Sequence, residues 1–106
     1  MDSKAFVTWL VIVRGLKKKV AENRSSNCSK VEKALGDLDL HYRKDDGKEL
    51  LELLQYSKAD EREKLPARHG MDIKGIVYDN TATYRQAVKK YMEFKAYQQE
   101  GSLQDL

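Results

Sequence analysis

Residues 83–94 read TYRQAVKKYMEF. The apolar side chains of this stretch recur three and four positions apart, which places them on one face of an α-helix: Tyr84, Ala87, Val88, Tyr91 and Phe94. Asn80 or Thr81 can cap the helix at its start, and the pattern predicts an end near Gln98, just before Gly101. We therefore expect this last helix to carry one wall of a helical core.

The N-terminal segment, residues 5–13, is apolar almost all the way round a helix that Asp2 or Ser3 can cap. Its β-branched residues leave a strand as the alternative. Three side chains lie off the stripe formed by the others and predict an interface with a partner protein or a second copy, since an exposed apolar cluster is sticky: Val7, Val11 and Ile12.

The second predicted helix covers residues 16–35 and has a polar interruption at residues 23–27, which read NRSSN. Ser and Asn favour caps and turns because their side chains compete for backbone hydrogen bonds. Either the helix breaks here or these side chains face a polar partner. Cys28 is the only cysteine, so an intrachain disulfide is excluded, and we expect it to be a small buried apolar residue.

Residues 37–44 read as a connector with alternating apolar side chains. Asp45 or Asp46 can cap a third helix, whose four leucines supply a core face before it ends near Tyr56. We therefore expect a separate leucine-rich helix in the middle of the chain.

Ser57 and Asp60 have the spacing of a capping box and predict a short capped turn. Residues 65–79 hold the only proline and two glycines, which predicts a long loop with a short extended piece at 72–78 as an option. His69 is expected on the surface of this loop. The fold class that follows is mostly α, with four helices in a single domain over residues 1–100 and a frayed tail at 101–106.

The 106 residues carry a net charge of +3, but the charge is unevenly distributed. Residues 1–34 hold eight basic and three acidic residues, a local charge of +5, and the middle of the chain is acidic. The excess of positive charge thus lies on the second and last helices. Such clustering can follow a phosphate backbone, although from charge alone an ordinary solvated helix face is the preferred interpretation.

The sequence contains no glycine-rich phosphate loop, paired-cysteine motif, HExxH helix or GxSxG elbow. We therefore predict no catalytic residue, no metal site, no cofactor and no enzymatic activity. The apolar run of nine residues near the N-terminus is too short to cross a bilayer. A cytoplasmic protein without a membrane partner is expected.

Four shorter stretches and the loop at 65–79 accompany the last helix: NRSSNC at 23–28, KVE at 30–32, GDLD at 36–39 with Tyr42, and LLELLQYS at 50–57. Together with residues 83–94, they resemble a bacterial N-terminal helical domain that precedes varied restriction-type or defence-associated regions. More distantly, residues 4–97 are similar to the SAM-like core-binding domain of tyrosine recombinases, the phage integrases. The resemblance implies a four-helix SAM-like bundle that clamps double-stranded DNA. The catalytic domain of those enzymes is missing, so no residue here inherits its chemistry.

The resemblance also implies a DNA-facing set on the second and last helices: Lys17, Lys18, Lys19, Arg24, Ser25, Lys30, Arg85, Lys89 and Lys90. Asn23 and Asn27 join Arg24 as side chains able to reach base edges in a major groove. The predicted function is a non-catalytic DNA-binding module. The alternative is a protein-interaction or homodimerisation module of a larger bacterial or phage system. The loop at 65–79 is longer than the turns usual between integrase helices.

Overall fold

A computed structural model describes residues 1–71, 73 and 75–104, with only the backbone of 101–104. Over these residues the chain is mostly helical and forms no strand. Its six helices follow in order: α1 (Ser3–Ile12), α2 (Lys18–Leu35), α3 (Leu38–Asp45), α4 (Lys48–Leu53), α5 (Lys58–Arg62) and α6 (Val77–Gln104). Within the part of the chain that the structure describes, no helix combines the length and apolar character needed to cross a bilayer.

The long helix α6 lies at the centre of the bundle and packs against each of the other five helices. Of the apolar face expected from the spacing in residues 83–94, four residues are buried and Tyr84 is partly buried. The ring of Phe6 meets Tyr91 edge-on at a centroid distance of 5.1 Å and lies 5.6 Å from Phe94. Aromatic pairs of this kind contribute about 0.5–1.5 kcal/mol beyond the area they bury. They fasten the first helix to the last.

Helix α1 confirms the helical interpretation of the N-terminal segment and excludes the strand. The Asp2 carboxylate caps it by accepting a hydrogen bond from the Ala5 N–H at 3.1 Å, which satisfies one of the donors that a helix start leaves free. Two of the three predicted interface residues, Val7 and Val11, are partly buried and pack against the core. Ile12 alone of the three is strongly exposed, at 75%.

Helix α2 runs through its polar interruption without a break. The side chains that it buries are mostly small and recur at helical spacing, at Ala21, Ser25 and Cys28. Short side chains let neighbouring helices approach closely, and α2 packs against both α1 and α6. Cys28 is fully buried as expected, and burial raises the pKa of its thiol to about 12.

The predicted connector at 37–44 is in fact helix α3. The Asp37 carboxylate starts it by accepting a hydrogen bond from the Asp39 N–H at 2.8 Å. Leu38 and Tyr42 are one turn apart and both buried, whereas Leu40 between them is 57% exposed. The connector predicted from alternating apolar residues is therefore wrong. The buried residues Leu38 and Tyr42 follow the period of a helix and form the core face of α3.

The α3–α4 turn uses both predicted capping residues, in different roles. The Asp45 carboxylate accepts hydrogen bonds from the Gly47 and Glu49 N–H groups, at 3.0 and 2.9 Å, and so caps the start of α4. Asp46 instead ends α3 in the left-handed conformation, with φ of 61°. At α5, the capping box of Ser57 and Asp60 is confirmed in both directions.

The long loop is shorter than predicted at its C-terminal end, because α6 begins at Val77. Asn80 and Thr81 therefore lie inside the helix and do not cap it. Of the proposed extended piece, Asp72 and Lys74 lie outside the described residues, and residues 77 and 78 are helical. At the other end α6 continues through residue 101 to Gln104, beyond the predicted end near Gln98. Residues 105 and 106 of the predicted tail lie outside the described residues.

His69 is buried at 5% exposure, which corrects the expectation of a surface histidine. Its Nδ1 accepts a hydrogen bond from the Met71 N–H at 2.9 Å. Its Nε2 lies 3.0 Å from Oγ1 of the fully buried Thr81. Since Nδ1 is an acceptor, the neutral ring carries its proton on Nε2 and donates it to Thr81. Burial lowers the pKa of His69, so the ring that ties the loop to α6 is held neutral.

Candidate nucleic-acid interface

A groove of about 450 Å³ runs between α2 and α6, the two helices that the charge pattern singled out. Its α2 wall is formed by residues three and four apart, so they share one helix face. The α6 wall is built in the same way from the side opposite the apolar core. The lining residues are Val20, Asn23, Arg24 and Asn27 of α2 and Ala82, Thr83 and Gln86 of α6.

The polar side chains of this groove have few partners in the protein. Asn23, Arg24, Asn27 and Gln86 make no hydrogen bond or ion pair with any described residue. The Thr83 hydroxyl is the exception and donates to the Asp79 carbonyl at 3.0 Å. No carboxylate lines the groove. Two amides from one helix, an amide from the other and one guanidinium are thus free to bind a ligand that supplies both acceptors and donors.

This geometry explains three of the five residues in the polar interruption at 23–27. Asn23, Arg24 and Asn27 turn into the α2–α6 groove. Ser25 is only 7% exposed and lies with Ala21 and Cys28 on the packed side of α2. Ser25 therefore does not belong to a DNA-facing surface, and the resemblance misplaced it.

The lysines predicted on α2 are placed at its start and on its exposed surface. Lys17 is the residue that precedes α2, in an extended conformation. Lys18 lies 4.0 Å from the Glu22 carboxylate in an exposed pair, which contributes little to stability. Lys19 and Lys30 are exposed and make no ion pair with the described residues.

The three basic residues predicted on α6 do not share one environment. Lys89 is exposed and has no ion pair within the described part of the chain. Lys90 is engaged by Glu93 at 3.2 Å, a carboxylate that Arg14 also approaches at 4.0 Å. Arg85 lies in a different cleft, on the α4–α5 side of α6. Of the predicted set, the structure thus brings Arg24 and Asn27 together in one groove.

Gln86 and Thr83 complete the groove and were missed from the sequence. Both lie within the stretch 83–94, three residues apart and off its apolar face. The signal that could have found them is the helical spacing of two uncharged polar residues, Thr83 and Gln86, on the side of α6 away from its apolar face. The prediction instead selected the basic residues of the same helix, Arg85, Lys89 and Lys90.

A second, apolar groove lies between α1 and α6 and contains one of the predicted interface residues, Ile12. Trp9, Val13 and Tyr97 line it as well, and Val13 and Tyr97 are about half exposed. The indole Nε1 of Trp9 is buried and donates to no acceptor in the described residues. Of the three residues predicted to form an interface, the structure thus places only Ile12 in this exposed apolar groove, together with Tyr97.

Carboxylates hold the start of α1 against α2 and α3. The Met1 amino group lies 3.2 Å from Glu32, 3.4 Å from Asp39 and 3.7 Å from Asp37. Burial lowers the pKa of this amino group, but the hydrogen bond with Glu32 and the three carboxylate charges outweigh burial and raise the pKa. The Tyr91 hydroxyl donates to Asp39 at 2.6 Å. These contacts fix the bundle that supports the α2–α6 groove.

The pKa of Asp39 reflects its several partners. Burial acts to raise it, but the Tyr91 hydrogen bond, Lys95 at 3.5 Å and the Met1 amino group prevail and hold the pKa below its ordinary value. No group of three or more His, Cys, Asp or Glu side chains among the described residues could hold a metal ion. The negative charge of Asp39 is thus compensated by Lys95 and the Met1 amino group.

In comparisons with known proteins, the chain matches no family model, no curated protein and no solved structure.

Proposed function

We propose that this chain is a non-catalytic module that binds double-stranded DNA through the α2–α6 groove, in the manner of an integrase core-binding domain. One observation carries the proposal: Arg24, Asn27 and Gln86 converge on one groove and have no partner among the described residues. Arginine pairs with the acceptor edge of guanine, and asparagine or glutamine pairs with adenine. The groove thus presents the side-chain types that read base edges.

Charge supports the same interpretation. Exposed lysines without ion pairs lie on both helices, at Lys19 and Lys30 of α2 and at Lys89 of α6. Lysines of this kind contact phosphates and release counterions, whereas base contacts confer the sequence preference. In this proposal α1, α2, the α3–α4 unit and α6 correspond to the four helices of a SAM-like bundle, in a bacterial cytoplasm.

Fluorescence anisotropy with a labelled duplex at low salt tests the proposal. We expect binding that weakens steeply with salt. The double variant K19Q/K30Q should weaken binding to all duplexes alike and reduce the salt slope by about two, one for each lysine. The control R43Q removes one charge from the exposed surface of α3 and should leave the affinity nearly unchanged.

A second comparison separates base reading from charge. The variants N27A and Q86A keep the net charge, so they should flatten the preference among duplex sequences and retain the salt dependence. Each should reduce discrimination by about 1–3 kcal/mol. The absence of any binding by the wild-type chain at about 100 µM and low salt would overturn the proposal, since even non-specific DNA binders associate in that range.

A homodimerisation module is the second candidate, and the α1–α6 groove favours it. Apolar surface is exposed around Trp9 by Ile12, Val13 and Tyr97. The buried Nε1 donor of Trp9 has no hydrogen-bond acceptor among the described residues. A second copy would cover this surface and can supply a carbonyl to Trp9. Sedimentation velocity should then show a dimer that I12K dissociates. A monomer at every accessible concentration would exclude this candidate and leave the DNA proposal intact.

A further inference from the structure

A second polar cleft, of about 480 Å³, lies on the other side of α6 from the α2–α6 groove. One wall is the segment from Leu54 to Lys58, which joins α4 to α5, and the other is the start of α6. Ala82 lines both clefts, so the two openings flank the same part of α6. The residues that line this second cleft are Leu54, Gln55, Tyr56, Ser57, Lys58, Tyr78, Ala82 and Arg85.

Arg85 is the unusual residue of this cleft. Its Nε atom is buried and has no hydrogen-bond acceptor in the described residues. The guanidinium also makes no ion pair with them, although the chain holds 17 acidic residues. A buried charged donor without a partner is strongly unfavourable, and native proteins nearly always satisfy such groups. Arg85 therefore has the properties of a group that is satisfied by a bound acceptor.

Lys58 brings a second positive charge to the same cleft. Its Nζ lies 6.0 Å from the ring centroid of Tyr78, within range of a cation–π contact, and it makes no ion pair with the described residues. The Tyr78 hydroxyl has no hydrogen-bond partner there either. No carboxylate lines the cleft. Three donors with two positive charges thus face one opening.

The wall opposite α6 is held in place before any ligand arrives. The Tyr56 hydroxyl donates to the Leu65 carbonyl at 2.7 Å. Ser57 and Asp60 fix the start of α5 through their capping box. Glu61 and Asp79 line a neighbouring groove that shares Lys58 and Tyr78, so repulsion confines an anion to the Arg85 end. A rigid wall lowers the cost of ordering side chains on binding.

We propose that this cleft binds a phosphate group, with Arg85 as the forked donor and Lys58 and Tyr78 as additional donors. Guanidinium geometry matches phosphate oxygens in pairs, and a doubly charged anion balances the two cations better than a carboxylate. The apolar wall at Leu54 and Ala82 suits the organic part of a phosphate ester. The phosphate can come from a free nucleotide or from the backbone of duplex DNA.

Nuclear magnetic resonance on the ¹⁵N-labelled full chain tests this site. Inorganic phosphate, adenosine monophosphate and a short duplex are titrated separately, and the amide shifts of Ser57, Lys58 and Arg85 are followed. The wild-type chain should show saturable shifts there. R85Q should weaken binding about tenfold or more, because each lost charged hydrogen bond carries such a factor. The control R43Q, which removes the same charge elsewhere, should bind as the wild type does.

The arms distinguish the source of the phosphate. Tighter binding of the monophosphate than of the duplex at these amides identifies a nucleotide site. A duplex affinity that R85Q lowers equally for all sequences identifies a backbone contact. The variant N27A keeps the cleft intact, so phosphate binding that survives in N27A separates this site from the proposed base-reading groove.

Two results would overturn the phosphate site. One is the absence of shifts at these amides with all three probes. The other is unchanged binding in R85Q or, if R85Q does not fold, in K58Q. Lys58 is exposed, so K58Q is expected to fold and provides a test even if R85Q does not.

Discussion

Gly47 offers a prediction whose size can be worked out from the structure. It joins α3 to α4 with φ of +81°, and a Cβ atom there would lie 2.8 Å from Sδ and Cε and 2.9 Å from Cγ of Met92. Met92 is buried in the core, so G47A both strains the backbone and crowds α6. Left-handed backbone costs an alanine about 1–2 kcal/mol, and overpacking costs about 1–3 kcal/mol. The loss of unfolded-state entropy returns about 0.4–1 kcal/mol.

G47A should therefore lower the free energy of unfolding by about 2–4 kcal/mol. The matched control is G15A, because Gly15 also has a positive φ, +71°, but a Cβ there would meet nothing within 4 Å. We expect G15A to lose only about 1 kcal/mol. Urea unfolding followed by circular dichroism measures both values, with the slope against urea unchanged. Equal losses in the two variants would refute the close contact between the α3–α4 turn and Met92.

Three further predictions concern buried polar groups. Because burial lowers the pKa of His69, the folded state binds a proton on this ring less readily than the unfolded state does. The protein should therefore lose stability as the pH drops below about 6.5. H69Q should reduce this pH dependence when thermal unfolding is measured at several pH values. An unchanged slope in H69Q would contradict the assignment. Y91F removes the hydroxyl that donates to Asp39 and should lower the free energy of unfolding by about 1–3 kcal/mol. The control Y97F, at a half-exposed ring, should change the free energy of unfolding by less than about 0.5 kcal/mol. Equal effects of the two variants would be inconsistent with the hydrogen bond between Tyr91 and Asp39. The Cys28 thiol, with its pKa raised to about 12 by burial, should react with a disulfide reagent only after unfolding in urea, and rapid labelling of the native chain would disprove its burial.

The parts of the fold that the sequence predicted are those set by local spacing. The apolar face of α6 needed only the recurrence of Tyr84, Ala87 and Tyr91, and the α5 capping box needed only Ser57 and Asp60. Helix α3 was missed because its apolar residues also alternate, and a pattern of eight residues does not distinguish the two periods. Burial of Leu38 and exposure of Leu40 decide it, and both depend on where α6 lies.

In the candidate site too, local sequence predicted some residues, whereas the placement of others depends on how the helices pack. The polar interruption in α2 pointed to Asn27 and its neighbour Arg24, because Asn and Ser side chains are unfavourable in mid-helix. It did not indicate that Ser25 packs inward, since that depends on the neighbouring helices. His69 was assigned to the surface because its partner, Thr81, becomes its neighbour only when the loop folds back on α6.

The central position of α6 has a consequence for the order in which the chain can fold during synthesis. Helix α6 packs against all five preceding helices, yet a ribosome translates it after them. Phe6 and Leu50 are fully buried in the core that α6 completes, so the nascent chain exposes them until α6 emerges. Contacts so distant in sequence close late, and an emerging chain with exposed apolar surface is a substrate for chaperones. Rare codons placed just before Val77 should therefore lower the yield of folded protein more than the same codons placed within α1.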